Sequence, residues 1–426
     1  MKKGIGFVPR AFYGWRRAMK WIGIFLAVSG PGIIVMVADN DAGGITTYAA
    51  TGARYGYNLL WFLVILGPVA YYVQEMTVRL GAVTKRGHAE AIFDAFGPFW
   101  GWFSLLDLIL TDWLTLITEF IGMTAALSIF HVPAFVTIIV VSIVMFLMVL
   151  QGRYWTWEKI AMLFCVLNLV YIPCAIIVHP SVSQVLHSGL IPNFAGGFNN
   201  QLFFFLMANI GTTIAPWMVF FQQSAVVDKG VTEKDVPWSK LDTAVGSAFT
   251  VLVAAFVIIT TGTVLKGVAI DSAAQAAIAL GGVNHWLGTL LAVGLFDAGF
   301  LGAICISLAS SWAFGEVFGW AHSLNNKIKE APWFYAMYAI MLVTAGIVVL
   351  IPNAPLVLIT LFVQVIAVTL LPATLVFLIL LLNDGERMGN LKNTRFQNVM
   401  SVTVVGIIIA LSSLYGVSAL FPEIFR

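Results

Sequence analysis

Apolar residues along this chain come in long unbroken runs, and polar residues gather in short stretches between them. A bilayer core of about 30 Å asks for a window of about 19 apolar residues per helix. Windows of that kind fall at 22–50, 58–83, 99–128, 132–150, 158–178, 200–226, 242–266, 285–317, 334–351, 355–382 and 397–420. The pattern predicts an all-α integral membrane fold with eleven transmembrane helices.

The first, sixth and eighth windows are interrupted by glycine, proline or charge. The first carries "ADNDAGG" and the sixth, five windows later, carries "NIGTTIAPWM". Two broken apolar segments at matching positions point to two inverted five-helix repeats, with a binding site where the first and sixth helices are discontinuous. Because five is odd, the second half crosses the membrane in the opposite sense. The expected organisation is a cytoplasmic amino-terminal segment 1–21, a transporter core 22–382 (first repeat 22–178, second repeat 200–382) and an additional eleventh helix 397–420.

Composition agrees. The 426 residues are 60% hydrophobic and 10% charged, with a mean hydropathy of +0.95, too apolar for an ordinary soluble protein. Lys and Arg are distributed unevenly. Lys2, Lys3, Arg10, Arg16, Arg17, Lys20, Lys85, Arg86, Arg153, Lys159, Lys229, Lys234, Lys240, Lys327, Lys329, Arg387, Lys392 and Arg395 fall on one side of the expected topology. Arg54, Lys266 and Arg426 fall on the other. The positive-inside rule then places the amino terminus in the cytoplasm, the carboxyl terminus outside and the chain in the cell membrane as a multi-pass protein. Cys165, Cys174 and Cys305 lie in apolar runs without paired spacing, so neither a disulfide framework nor a thiolate metal site is supported. The apolar run after the basic start lacks a cleavage site, so no signal peptide is expected. No clustered His, Cys or Ser arrangement suggests an enzyme, and the inside loops are too short for a sensor's output domain. A lipid bilayer is the expected surrounding, with no nucleic-acid partner; protein partners are not legible.

An ionised carboxylate at mid-membrane is expensive, so Asp41 should face protein or water with a cationic partner. No Lys or Arg lies in the middle of the first or sixth window, which makes a bound cation the economical partner. Asp39 or Asp41 also suits the amino-terminal cap of the half-helix that follows, and the two roles are compatible. Gly43, Gly44 and Pro216 favour exposed carbonyl oxygens near the midplane. The six histidines fall in loops or at window ends and no cysteine is near the breaks. That leaves carboxylate, carbonyl, amide and water, the donors suited to Mg²⁺, Ca²⁺ or Mn²⁺. Met218, close to Pro216, reads as packing. Glu75 and Arg79 are four apart and pair most simply with each other. Asp107 and Asp112 lie nearer a window end, where solvation suffices. Asp297 is deep, and can belong to a vestibule or gate or hydrogen-bond a neighbouring helix while protonated.

At these residues the chain resembles the NRAMP superfamily of divalent metal transporters. "GPGIIVMVADNDAGG" with "ATGARYGYNLLW" is similar to the family's first-helix signature. "VQEMTVRLGAVTKRGHAE" matches the second helix and its loop, "ITEFIGM" the third, "LQGRYWTWEKI" the loop into the fifth, and "VQVIAVTLLPATLVFLILLLNDGERMG" the tenth. The resemblance implies a LeuT-like fold. It also implies that Asp41 binds metal, that the carbonyls of Ala38 and Thr212 lie near the ion, and that Gln364 meets it in some states. The family's Asp-Pro-Gly-Asn reads Asp41-Ala42-Gly43-Gly44 here, so the coordinating asparagine has become Gly44. Its Met-Pro-His reads Ala215-Pro216-Trp217, its second histidine falls at Gln222, and the aspartate linked to proton transport, three residues before Glu119, is Leu116. Every change removes a soft ligand or a titratable group. The pattern resembles the NRAMP-related magnesium transporter branch, whose members carry Mg²⁺ and Mn²⁺ without protons. Gly44 and Ala215 should enlarge the cavity, leaving room for a hydrated ion. Asp39, Trp217, Gln222, Glu119 and Asp297 are the cavity or gating candidates. The metal is cargo, and no cofactor is expected. The alternatives are a proton-coupled manganese or iron importer using Glu119, and a sodium-coupled organic-solute carrier of the same architecture.

Overall fold

The computed structural model describes residues 23, 25, 27–150, 152–194, 197–268, 270, 273–352, 354 and 356–420. The expected amino-terminal segment 1–21 with its basic residues, and Arg426, lie outside the described residues. Among the described residues there are helices and connecting turns and no strand, as a chain must arrange itself where no water is present to satisfy backbone groups.

The helices are α1 (Pro31–Ala38), α2 (Ala42–Tyr55), α3 (Leu60–Thr84), α4 (His88–Phe96), α5 (Pro98–Ser128), α6 (Ala134–Val149), α7 (Tyr154–Leu167), α8 (Tyr171–Ile177), α9 (Val182–Leu190), α10 (Asn200–Gly211), α11 (Pro216–Lys229), α12 (Val236–Val264), α13 (Ala273–Val283), α14 (His285–Phe318), α15 (Pro332–Val349), α16 (Leu356–Asn383), α17 (Gly385–Met388) and α18 (Arg395–Leu420). Eight segments among the described residues are long and apolar enough to cross a membrane, α7–α8 and α10–α11 each counting as one. The remaining expected windows hold the broken pair α1–α2, the acid-bearing α5 and the 16-residue α6.

Burial orders the bundle. The most apolar window of α10–α11 is 94% buried, and that of α18 is 17% buried; the broken pair is therefore central and α18 forms the rim, against α10 and α16. The helix α12 packs along α1, α2 and α3, and α14 lies against α5 and α11. Gly43 and Gly302 allow close approaches at the helix breaks. A Cβ at Gly43 would collide with the Gln364 amide, and one at Gly302 would lie 3.0 Å from Asp41 Cβ and from Glu119 Oε2.

One buried cluster pairs charge within and between helices. Arg79 Nε lies 2.8 Å from Glu75 Oε1, as the spacing predicts, and Lys240 Nζ joins the same oxygen at 2.6 Å. Arg79 also donates to the Leu391 carbonyl and to Asn393 Oδ1, tying α3 to the segment before α18. The expectation of solvation fails for Asp107 and Asp112: both are buried, and Asp112 Oδ2 accepts the Ser310 hydroxyl at 2.6 Å. The cause is α14, which covers this face of α5.

Candidate metal site at the helix breaks

The first break spans three residues. Asp39 ends α1, Asn40 turns, and Asp41 begins α2 in extended conformation (φ −69°, ψ 175°), its carboxylate accepting the Gly44 N–H at 2.6 Å. Asp41 is therefore a helix cap, held where the first-turn N–H groups and the dipole favour negative charge. Asn40 Nδ2 donates to the Thr250 carbonyl of α12 at 3.2 Å, which anchors the turn.

The second break runs from Thr212 to Ala215. Thr212 closes α10, and Pro216 opens α11 in the first turn, where a missing N–H removes no helical bond. The Ala215 N–H points to Met218 Sδ at 3.4 Å, so the sulfur is turned back onto its own half-helix. Ala38 and Thr212 end their half-helices, where the last carbonyls have no partner within the helix. Tyr48 of α2 joins the two breaks, its hydroxyl lying 2.9 Å from Thr213 Oγ1 and 3.4 Å from the Thr212 carbonyl.

Three more elements converge there. Glu119 of α5 accepts the Ala42 N–H at 2.8 Å through Oε2 and the Thr118 hydroxyl at 3.1 Å through Oε1, and its Oε2 and Asp41 Cβ flank the same point beside Gly302. Two neighbouring carboxyls repel when both are ionised, so a proton or a cation between them is favourable. Gln364 of α16 places its amide over Gly43, whose Cβ position lies 2.8 Å from Thr118 Oγ1 and 3.3 Å from Asp41 Oδ1. Thr212 Oγ1 lies over Gly44.

Asp41, Gly44, Thr212, Gln364, Glu119 and the Asp39 carbonyl are thus brought together. Other candidates are placed elsewhere. Trp217 is buried against Phe221 in the first turn of α11. Gln222 donates sideways to Thr243 Oγ1 of α12 at 2.9 Å. Asp297 Oδ2 accepts Asn168 Nδ2 at 2.6 Å, the neighbouring-element hydrogen bond that was one of its two readings. The enlarged cavity is not open in this arrangement. Ala38, Asp39, Asp41, Thr212, Ala215 and Gln364 are all no more than 4% exposed, and the Thr212 hydroxyl lies where Gly44 lacks a side chain.

Sequence reasoning missed Thr118, Tyr48 and Asp242. Asp242, at the start of α12, accepts the N–H groups of Gly30 (3.0 Å) and Gly32 (2.7 Å) at the start of α1. An acidic residue at the very start of an apolar window was the available signal. The two hydroxyl residues gave none. Among the described residues no group of three His, Cys, Asp or Glu side chains is placed to hold a metal. The donors at the breaks are carboxylate, amide, hydroxyl and carbonyl, a hard-oxygen set.

Crossing helices around two facing breaks, with polar groups buried at their meeting point, define a multi-pass membrane transport protein rather than an enzyme. The family profile described as "Natural resistance-associated macrophage protein-like" matches residues 32–418, and the chain belongs to this NRAMP family. It is 25% identical over 422 residues to the divalent metal cation transporter MntH of Caldanaerobacter subterraneus, covering 94% of this chain and 96% of that protein. It is 26% identical over 420 residues to MntH of Mesorhizobium japonicum, covering 92% and 88%. The fold matches the Eremococcus coleocola manganese transporter bound to an aromatic bis-isothiourea compound, with a TM-score of 0.77 at 23% identity over 97% of this chain and 87% of that one. It also matches MhsT in complex with L-phenylalanine, with a TM-score of 0.59 at 13% identity over 93% and 98%. The fold is LeuT-like, and no cofactor is implied.

Proposed function

We propose that this chain imports hydrated Mg²⁺, with Mn²⁺ as a competing substrate, by alternating access around the two breaks and without coupling to protons. Divalent metal cation transport is the activity in the names of its full-length relatives. The finer reading places the chain in the NRAMP-related magnesium transporter branch and rests on one observation. Asp41 Oδ1 faces the Thr212 hydroxyl beside Gly44 and the Gln364 amide beside Gly43, Ala215 stands where a thioether would select softer ions, and the Met218 sulfur is engaged with the Ala215 N–H. Mg²⁺ prefers oxygen and keeps several waters. The closed arrangement has to open before it admits them.

In this reading Asp41 supplies the charge, and the carbonyls of Ala38 and Thr212 and the Gln364 amide supply neutral contacts. Gly44 and Ala215 set the ligand count, while Asp39, Glu119, Trp217, Gln222 and Asp297 shape or gate the route. The core 22–382 works as two inverted repeats, 22–178 and 200–382, with 397–420 outside them, giving eleven crossings with an inside amino terminus and an outside carboxyl terminus in the cell membrane. The inside-negative potential favours entry of a divalent ion by about 4.6 kcal/mol per 100 mV, twice the single-charge value, so no proton is needed.

Proteoliposomes with an interior pH dye test this. Mg²⁺ and Mn²⁺ should enter down the potential with no acidification. The nearness of Glu119 to Asp41 favours a second reading, in which a proton held between the two carboxyls leaves when the cation binds. Acidification in step with Mn²⁺ entry, lost in Glu119→Gln, would establish that reading and overturn the uncoupled one.

A further inference from the structure

We infer that the Thr212 hydroxyl, distinct from its backbone carbonyl, is a direct oxygen donor to the transported cation, and that Gly44 is glycine to admit it. The inference rests on the metal-transport reading above.

Four observations carry it. First, threonines around the breaks tie their hydroxyls back to a carbonyl of their own helix. Thr46 does so to Ala42, Thr47 to Gly43, Thr51 to Thr47, and Thr213 to Asn209, at 2.7–2.8 Å. Thr212 does not. Its Oγ1 is buried without a hydrogen-bond partner, in a side chain 2% exposed. A buried hydroxyl left unpaired is destabilising by about 1–3 kcal/mol, so this exception in a fully packed region calls for a ligand.

Second, the hydroxyl has a definite target. The point where a Cβ of residue 44 would stand is bounded by Thr212 Oγ1, by the Asp39 carbonyl at 3.2 Å and by Asp41 Oδ1 at 3.2 Å. Any side chain at 44 would displace the hydroxyl. Third, another oxygen beside Asp41 is also short of a partner: Asp39 Oδ2 is buried and unpaired. Fourth, Tyr48 of α2, the helix that Asp41 caps, bonds the Thr212 carbonyl and the Thr213 hydroxyl, which ties the second break to the first.

A hydroxyl is a neutral hard donor that accepts a cation without adding charge. One carboxylate with neutral oxygens suits an ion that retains part of its water. The side chain missing at residue 44 is thereby replaced from the opposite half-helix. Thr212 is on this account a specificity-determining residue, since it supplies an oxygen where softer ions would gain nothing.

The test compares Thr212→Val, which keeps the shape and the carbonyl but removes the hydroxyl, with Thr212→Ser, which restores it. Uptake of Mg²⁺ and of Mn²⁺ is measured separately in proteoliposomes. The expected result is a KM for Mg²⁺ raised roughly tenfold or more in the valine variant, a smaller rise for Mn²⁺, and near wild-type behaviour in the serine variant. Equal KM values for both ions in the valine variant and wild type would overturn the inference. A second pair covers the case in which valine fails to fold. Gly44→Asn alone should abolish transport by displacing the hydroxyl, and Gly44→Asn with Thr212→Ala should recover Mn²⁺ uptake. Equal loss in the single and double variants would overturn the steric coupling. Failure of the Mg²⁺ reading is a separate outcome: wild type would then carry Mn²⁺ alone, and the Mn²⁺ KM of the two Thr212 variants would still decide the role of the hydroxyl.

Discussion

The two ends of α1 handle polar groups in opposite ways. At its start, pairing is complete. Asp242 takes two backbone N–H groups, and the Lys229 ammonium takes the Ser29 carbonyl at 2.7 Å and Glu158 Oε1 at 2.6 Å while lying over the Trp155 ring. At its finish, Asp39 Oδ2, Thr212 Oγ1 and Gln364 Nε2 are buried and have no partner. Both regions are closed to the outside, but for different reasons. Satisfied groups at the start act as a latch joining α1 to α7, α11 and α12. The unpaired oxygens at the finish, Asp39 Oδ2 and Thr212 Oγ1, are what an arriving cation can complete.

This contrast orders the experiments. The largest effect should come from Asp41→Ala, which removes the one charge at the breaks that caps α2; Mg²⁺ uptake should fall to background while the protein still extracts as a monodisperse species. Unchanged uptake would show that the orphaned oxygens serve packing. Next is Asp242→Asn. Weakening charge-assisted bonds to Gly30 and Gly32 removes on the order of 1.5–3 kcal/mol of closure, so a cysteine placed at Ser29 should react faster with a soluble maleimide than in the parent. Equal labelling would mean that the latch is only a structural tie.

A smaller change is expected from Ala215→Met. A thioether near Asp41 should move preference toward softer ions such as Cd²⁺ relative to Mg²⁺, read by competition for Mn²⁺ uptake; no change in the ratio would mean that Met218 already satisfies that position. The smallest effect at neutral pH concerns His88, another fully packed group. Its ring, on α4 outside the crossing segments, lies 2.9 Å from Gln223 Oε1 and edge-on to Phe220, and burial lowers its pKa to about 4. Between pH 6.5 and 4 the unfolded chain binds a proton that the folded one refuses. Stability is therefore fully present above 6.5 and falls with pH by up to about 1.4 kcal/mol per unit. His88→Gln should flatten that slope in detergent melts, and an identical slope would place the proton elsewhere.

Much of the fold was legible because the bilayer imposes it. Apolar runs must be helices, and glycine or proline within them marks where a helix stops, so 39–41 and 212–215 could be found without coordinates. Asp41 was legible because a mid-membrane carboxylate needs a reason. Asp107 and Asp112 were misread as solvated, since the cover that α14 gives them comes from residues about 200 positions away. The supposed spare room at Gly44 was misread for the same reason.

Local chemistry along the chain settled the class, the breaks and the hard-oxygen character of their donors, because span length, helix interruption and ligand type are properties of short segments. Only the packed bundle decided which oxygens face one another, that Thr212 rather than open space occupies the void beside Gly44, and that Asp242 pins the start of α1. Those facts depend on helices remote in sequence meeting within a few ångströms, and pairing distances of that kind are set by how the whole core closes.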